Sequence, residues 1–169
     1  SFNPKENFHN YAIEWTPTYI AFFVDDMLIR YINNFYVDSL YHHQKLMMNI
    51  WQPTAVNWAG SFDESTLPSY AFYDWVKYYA YVPGTGNAGT NNNFIELWKD
   101  DLDDYDRDRW SKASHSFDGN NADFTYANVE FEYGYMILCL TTPGDTGYNG
   151  DPLNIVGDLN PITFKIGSP

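Results

Sequence analysis

The chain has 169 residues, a formal net charge of −13 at pH 7 and a hydrophobic fraction of 44%. This length suits one domain with a sizeable core. The strong negative charge argues against nucleic acid and against anionic membrane surfaces as partners, because both would be repelled.

Aromatic residues make up 20% of the chain, with 6 Trp, 15 Tyr and 12 Phe. Tyr and Trp carry polar tips that favour partly wet sites, so a core alone does not require so many of them. An aromatic groove would suit a neutral polysaccharide, since the apolar C–H faces of sugar rings stack on aromatic side chains. A β-sheet rich in aromatic residues explains the same composition, and both interpretations stay open at this point.

The first half of the chain predicts short strands separated by turns. Apolar side chains alternate with polar ones, and the pair Asp25-Asp26 is typical of a hairpin turn. The predicted strands cover residues 11–15, 19–24, 27–31, 46–51 and 71–81.

The second half begins with a Gly- and Asn-rich segment, residues 82–93, which is predicted to be a linker. The acidic run at 100–108 lacks the glycine and the terminal glutamate of an EF-hand loop, so we expect a solvated surface there. A hairpin turn is predicted near Tyr133-Gly134, and a further strand at 162–166. Many short strands with regular turns indicate an all-β sandwich.

Three segments resemble the C-terminal half of β-glucanases of glycoside hydrolase family 16. They are FHNYAIEWTPTYIAFFVDDMLIR at 8–30, KLMMNIW at 45–51 and YAFYDWVKYYAY at 70–81. The order of the segments resembles that of the circularly permuted, Fibrobacter-like licheninases, over residues 8–140. The resemblance implies a jelly-roll β-sandwich of the concanavalin-A-like type, of which this chain can be an incomplete part.

The same resemblance predicts four parts of the chain. Residues 1–81 correspond to the C-terminal half of the family sandwich and carry the strands of the substrate groove. Residues 82–93 join the permuted halves, residues 94–141 form an N-terminal-type hairpin of the same sandwich, and residues 142–169 are a tail that can add a strand.

The catalytic carboxylates of the family lie on an E-x-D-x-E strand, and the 169 residues contain no such run. The nearest pattern is Asn128, Glu130 and Glu132 in NVEFE, for which the polar face of an amphipathic strand is the better explanation. Glu14 and Glu64 are isolated and are expected at the surface. We therefore identify no catalytic residue in this chain.

A substrate-binding half-site is predicted around KLMMNIW. Alternation along a strand would place Asn49 and Trp51 on one face, side by side. The resemblance assigns these two residues to substrate contact, with Trp58 nearby. A purely structural aromatic ladder is the alternative.

Three further positions match aromatic positions of the permuted licheninases. Trp15 retains the aromatic residue and is predicted to contact substrate. Phe22 is also predicted to contact substrate, although a Trp would be expected at its position. His115 stands where the permuted relatives have Trp, which would weaken stacking at that end.

The resemblance also implies a structural calcium ion. The side chain of Asp74 and the backbone carbonyl of Gly134 match two of its ligands. Because calcium takes six to eight oxygen ligands, other carbonyls and water would have to complete this site.

The predicted function is part of an endo-β-1,3-1,4-glucanase, licheninase-like, that hydrolyses mixed-linkage β-glucan by a retaining mechanism. The catalytic carboxylates would lie on a segment absent here, for example on a second polypeptide, and this chain alone would be inactive. A non-catalytic β-glucan-binding protein, or a structural assembly protein derived from the same fold, is the alternative. The resemblance further implies secretion, although the first residues show no signal-peptide pattern.

Overall fold

A computed structural model describes residues 3–4, 6–150 and 167–168. These residues form two compact units. The first unit contains the described residues up to 45, residues 75–101 and the short strand at 167–168, and the second contains residues 46–74 and 102–150. The described strands are β1 Tyr11–Trp15, β2 Ile20–Val24, β3 Met27–Ile32, β4 Ser69–Tyr73, β5 Val76–Tyr81, β6 Phe94–Asp100, β7 Val129–Glu132, β8 Tyr135–Leu140 and β9 Gly167–Ser168.

Helical structure in the described ranges is confined to single turns. Two α-helical turns, α1 Phe35–Asp38 and α2 Val56–Ala59, are accompanied by 3-10 turns at Glu64–Thr66, Thr90–Asn92 and Tyr126–Asn128. None of the helices described is long and apolar enough to cross a membrane. The predicted all-β class is confirmed, because three-stranded, largely antiparallel sheets make up the regular structure.

The first unit contains two sheets, with strand orders β1-β2-β3 and β6-β5-β9. Asp25 and Asp26 connect β2 to β3 with φ values of 49° and 62°, so the predicted hairpin turn is confirmed. Such positive φ values at both central residues match the right-handed twist of the two strands. The core of this unit is formed by apolar side chains, among them Ala12, Trp15, Ala21, Val37, Val76, Tyr79 and Phe94.

Residues 82–93 connect β5 to β6 as a hydrogen-bonded loop. The Val82 N–H donates to the Asn93 carbonyl at 2.7 Å, and Tyr81 pairs with Phe94 where the loop begins and ends. The Phe94 carbonyl accepts from the N–H groups of Asn87 and Ala88. The chain therefore folds back on itself here, between two neighbouring antiparallel strands.

The second unit contains one described sheet with the order β4-β8-β7. Tyr133 and Gly134 connect β7 to β8 with φ values of 56° and 79°, which confirms the turn predicted there. The central strand β8 is buried from Met136 to Cys139. Burial, followed by the charge of Glu130, raises the pKa of the Cys139 thiol to about 12, so this thiol stays neutral.

Two strand predictions are wrong. Residues 71–81 form two strands rather than one, because β4 ends at Tyr73 and β5 begins at Val76. Residues 46–51 pair with no strand in the described part of the chain, although Met47 and Asn49 are exposed while Met48 and Ile50 are half-buried. Alternating apolar side chains alone do not form a strand, which also needs a neighbour to pair with. The strand predicted at 162–166 lies outside the described residues.

Candidate functional site

Three aromatic rings of the second unit meet at Trp51. The ring centroids of Trp51 and Trp58 are 5.6 Å apart at an interplanar angle of 67°. Those of Trp51 and Phe117 are 5.1 Å apart at 71°. Such edge-to-face contacts are favourable and fix the rings relative to one another. We call Trp51, Trp58 and Phe117 the aromatic cluster.

The aromatic cluster is accessible to a ligand. Trp58 has 72% of its surface exposed and Phe117 has 44%, whereas Trp51 is half-buried between its two neighbours. Contiguous apolar surface that stays exposed marks interaction sites, whereas single exposed apolar side chains do not. The described geometry thus offers apolar ring surface supported by a partly buried indole.

Backbone hydrogen bonds hold together the two chain segments that carry these rings. The Thr54 N–H donates to the Gly119 carbonyl at 2.9 Å, and the Asn121 N–H donates to the Gln52 carbonyl at 2.8 Å. Between these bonds, Pro53 and Asn120 form an antiparallel bridge. Residues 51–54 and 117–121 are therefore linked directly, despite their separation in sequence.

Local structure places Trp58 within this arrangement. It lies on the single helical turn α2, where its N–H donates to the Ala55 carbonyl at 3.0 Å. Gly60 ends the turn with a φ of 80°, a conformation that glycine adopts without steric cost. The turn brings Trp58 back to the ring of Trp51, seven positions earlier in the chain.

The structure brings together two of the predicted substrate-binding residues, Trp51 and Trp58. Asn49 lies two positions before Trp51 and is exposed, but the strand that was expected to align the two is not formed. Phe117 was not predicted. The sequence holds a clue to Phe117. It lies two positions after His115, which stands at an aromatic position of the permuted licheninases, and directly before the turn-forming residues Asp118 and Gly119.

Trp15 and Phe22 belong to the first unit. Trp15 lies in the core at the end of β1 with 8% of its surface exposed. Phe22 lies on β2, half-buried, with Ile13 and Arg30 opposite it on the neighbouring strands. Contact of Trp15 and Phe22 with substrate stays a prediction.

The expectation that Glu14 lies at the surface is wrong, since only 3% of it is exposed. Its carboxylate accepts the Tyr19 hydroxyl at 3.0 Å and the Thr90 N–H at 2.7 Å. The alternation of β1 places Glu14 on the buried face with Ala12. Burial, and then the hydrogen bond from Glu14, raises the pKa of Tyr19 well above its usual value. A cavity of about 280 Å³ adjoins this group, lined by Ala12, Glu14, Phe23, Asp26, Gly89 and Thr90.

The polar side chains of NVEFE hold a neighbouring loop. The Glu130 carboxylate accepts the Tyr148 N–H at 2.8 Å, and the Asn128 side-chain carbonyl accepts the Gly147 N–H at 3.0 Å. Glu132 is exposed. Glu130 and Asn128 thus fix the backbone of the loop at residues 147–148.

The two predicted calcium ligands lie near the same end of the β4-β8-β7 sheet. Tyr73 pairs with Met136, and Asp74 comes directly after Tyr73 while Gly134 lies two positions before Met136, so both are at the same end of the antiparallel pair. The Asp103 Oδ1 atom lies 3.6 Å from the position that a Cβ on Gly134 would occupy. No group of three or more His, Cys, Asp or Glu side chains is placed to hold a metal in the described ranges. Backbone carbonyls and water would therefore have to supply most ligands.

Sequence comparisons agree with this picture. The profile described as Glycosyl hydrolases family 16 matches residues 1–77. A β-glucanase from Fibrobacter succinogenes is 41% identical over 143 residues, which are 85% of this chain and 40% of that protein. β-Glucanases from Paenibacillus macerans (41% over 78 residues) and Acetivibrio thermocellus (40% over 80 residues) each match 46% of this chain, and 31% and 22% of their own length.

The chain thus spans well under half the length of these curated relatives. The match over residues 1–77 and the similarity over 143 residues indicate the same family. We conclude that this chain belongs to family 16 of the glycosyl hydrolases.

Proposed function

We propose that this chain forms the substrate-binding part of an endo-acting β-1,3-1,4-glucanase. The observation that carries the proposal is the aromatic cluster, in which Trp58 is 72% exposed and is held against Trp51. Apolar sugar faces would stack on these rings, and the exposed Asn49 would hydrogen-bond to hydroxyl groups. The β-glucanase names of the relatives support β-glucan as the substrate class.

The catalytic carboxylates would come from a segment outside these 169 residues. A retaining glycosidase needs a nucleophile and an acid/base about 5–5.5 Å apart. The sequence lacks the E-x-D-x-E run, and the carboxylates of Glu14 and Glu130 already accept backbone N–H groups. The chain by itself would therefore bind β-glucan without hydrolysing it.

The exposure of β3 supports a partner segment, on this or a second polypeptide. This strand lies at the end of its described sheet, and its residues from Met27 to Tyr31 are all exposed, with Met27 at 67%. An exposed apolar strand at a sheet edge is a place where another strand adds. Segments of the complete protein would cover it.

A circularly permuted order of the two halves is part of the proposal. The Fibrobacter relative matches 143 residues, whereas the Paenibacillus relative matches 78. A longer match is what a shared, permuted order of the segments would give. Tyr81 and Phe94, which would be the ends of the two halves, are paired on adjacent strands. A short joint such as residues 82–93 can link ends that lie so close together.

Calcium binding and secretion complete the proposal. Asp74 and the Gly134 carbonyl would contribute to a structural calcium site near the end of the β4-β8-β7 sheet, where Asp103 is also close to Gly134. Secretion fits a protein that acts on a polysaccharide, because such polymers are too large to enter a cell.

Intact-mass analysis under denaturing conditions, together with a reducing-end assay on barley β-glucan, tests this function. We expect the isolated chain, at 19.6 kDa, to release no reducing ends. We expect hydrolysis only when a segment carrying an E-x-D-x-E strand is present. Hydrolysis by the isolated chain would contradict the proposal, because the carboxylates would then lie within these 169 residues.

A non-catalytic β-glucan-binding protein is the second candidate, favoured by the absence of the E-x-D-x-E run from the sequence. For this candidate, intact-mass analysis of the protein from its natural source would find a single polypeptide. That polypeptide would bind glucan and release no reducing ends from it. A structural assembly protein would neither bind nor hydrolyse glucan.

A further inference from the structure

Phe117 is held on the surface, against Trp51. The centroids of the two rings are 5.1 Å apart, yet 44% of Phe117 is exposed. Its neighbour Phe124, at a centroid distance of 5.9 Å, is half-buried and packs against both Phe117 and His115. Phe117 therefore has ring contacts that fix it and ring surface that remains open.

We propose that Phe117 is a sugar-stacking residue that extends the binding surface of Trp51 and Trp58. This inference rests on the proposed function, because it concerns the same surface. Trp58 and Phe117 both contact the indole of Trp51, at similar interplanar angles of 67° and 71°. One glucan chain that stacks on Trp58 would reach Phe117 with a neighbouring sugar unit.

The loop that carries Phe117 is ordered before any ligand binds. The Phe124 N–H donates to the His115 carbonyl at 3.2 Å, and the Ser116 hydroxyl donates to the Ala122 carbonyl at 2.9 Å, which closes the loop. The bond from Thr54 to the Gly119 carbonyl, at 2.9 Å, fixes the loop to the segment that follows Trp51. A ring held in place in this way loses little conformational entropy on binding, so more of its contact energy appears as affinity.

The surroundings of Phe117 define the class of sugar. The ring has no polar atom, so it offers an apolar face and no hydrogen bond. The exposed carboxylates of Asp118 and Asp123 lie on the same loop, and the chain carries a net charge of −13. These charges would repel polymers of uronic acids or sulfated sugars. These surroundings therefore favour a neutral polysaccharide, and the proposed function makes it a β-glucan.

Substitutions at Phe117 test this inference by affinity electrophoresis of the 169-residue chain in gels containing barley β-glucan. We expect Phe117→Ala and Phe117→Leu to weaken binding roughly tenfold, the equivalent of about 1.4 kcal/mol. Phe117→Trp should retain binding, because an indole also presents a flat apolar face. Tyr126→Ala, at another exposed ring of the second unit, is the matched control and should bind as the unsubstituted chain does.

Phe117→Leu separates stacking from packing, since leucine keeps apolar contact with Trp51 but has no ring. Normal binding by Phe117→Leu, or by Phe117→Ala, would overturn the inference. If Trp58→Ala weakens binding while Phe117→Ala does not, the proposed function stands and this inference alone fails. If the unsubstituted chain does not bind any β-glucan, both fail.

Discussion

The carboxylate of Glu14 accepts the backbone N–H of Thr90 at 2.7 Å, across 76 positions of the sequence. Through this bond, strand β1 holds the loop between β5 and β6 in the first unit. The same carboxylate accepts the Tyr19 hydroxyl, so both of its oxygens are used. Glu14 is thus a structural residue, although its residue type suits catalysis.

Replacement of Glu14 by alanine should destabilise the protein. It would leave the buried Tyr19 hydroxyl without its acceptor, which costs about 1–3 kcal/mol, and would also remove the part-buried hydrogen bond from the Thr90 N–H. Urea unfolding followed by circular dichroism measures the loss. Glu64→Ala, at an exposed position, is the control and should change stability little. Equal stability of both variants would show that the bonds of Glu14 contribute nothing.

Gly147→Ala should be more destabilising than Gly144→Ala. Both glycines have a φ of 89°, so both substitutions strain the backbone to a similar degree. A Cβ on Gly147 would lie 2.5 Å from the Glu130 Oε1 atom, whereas a Cβ on Gly144 would meet nothing within 4 Å. The difference between the two melting temperatures therefore reports the contact with Glu130. Equal melting temperatures would mean that the Glu130 side chain or the loop moves aside without cost.

Calcium should raise the melting temperature of the chain, and Asp74→Asn should reduce this effect. A ligand that binds only the folded state stabilises it, by about 2.7 kcal/mol at a concentration one hundred times its dissociation constant. Thermal unfolding with calcium and with a chelator gives the comparison. Asp118→Asn, at an exposed position elsewhere in the second unit, should respond to calcium as the unsubstituted chain does. An equal response from Asp74→Asn would exclude this carboxylate as a ligand.

Alkaline pH should destabilise the first unit through Tyr79. Burial, and then the charge of Glu96, raises the pKa of Tyr79 to about 12, from 10.0 in an unfolded chain. The unfolded chain therefore loses this proton at a lower pH than the folded chain does. The contribution of Tyr79 to the free energy of unfolding is complete below pH 10 and is lost as the pH rises to about 12. Tyr79→Phe should show a shallower loss of stability over this range in urea unfolding. Tyr126→Phe, at an exposed position, should keep the original slope, and an unchanged slope for Tyr79→Phe would contradict the assignment.

Local sequence predicts the parts of the fold that depend on local interactions. The hairpin formed by β2 and β3 was predicted because Asp25 and Asp26 tolerate positive φ between alternating strands. In the turn predicted at Tyr133-Gly134, only Gly134 adopts its positive φ without steric cost. The jelly-roll architecture was predicted from the family resemblance, because the pattern of strands and turns alone indicates only an all-β sandwich.

Features that depend on distant partners were missed. Residues 46–51 have a strand-like pattern, but pairing depends on a neighbour that the pattern does not specify. The burial of Glu14 depends on Thr90, and the position of Phe117 depends on hydrogen bonds to residues 52–54. Of the aromatic cluster, the sequence predicted Trp51 and Trp58, because the family resemblance assigns them to substrate contact and assigns no such role to Phe117.

Isothermal titration with a mixed-linkage β-glucan oligosaccharide tests the central claim most directly. The unsubstituted 169-residue chain should bind the oligosaccharide, and Trp58→Ala should bind it roughly tenfold more weakly or not at all. Undiminished binding by Trp58→Ala, or no binding by the unsubstituted chain, would contradict the assignment of the aromatic cluster as a glucan-binding surface.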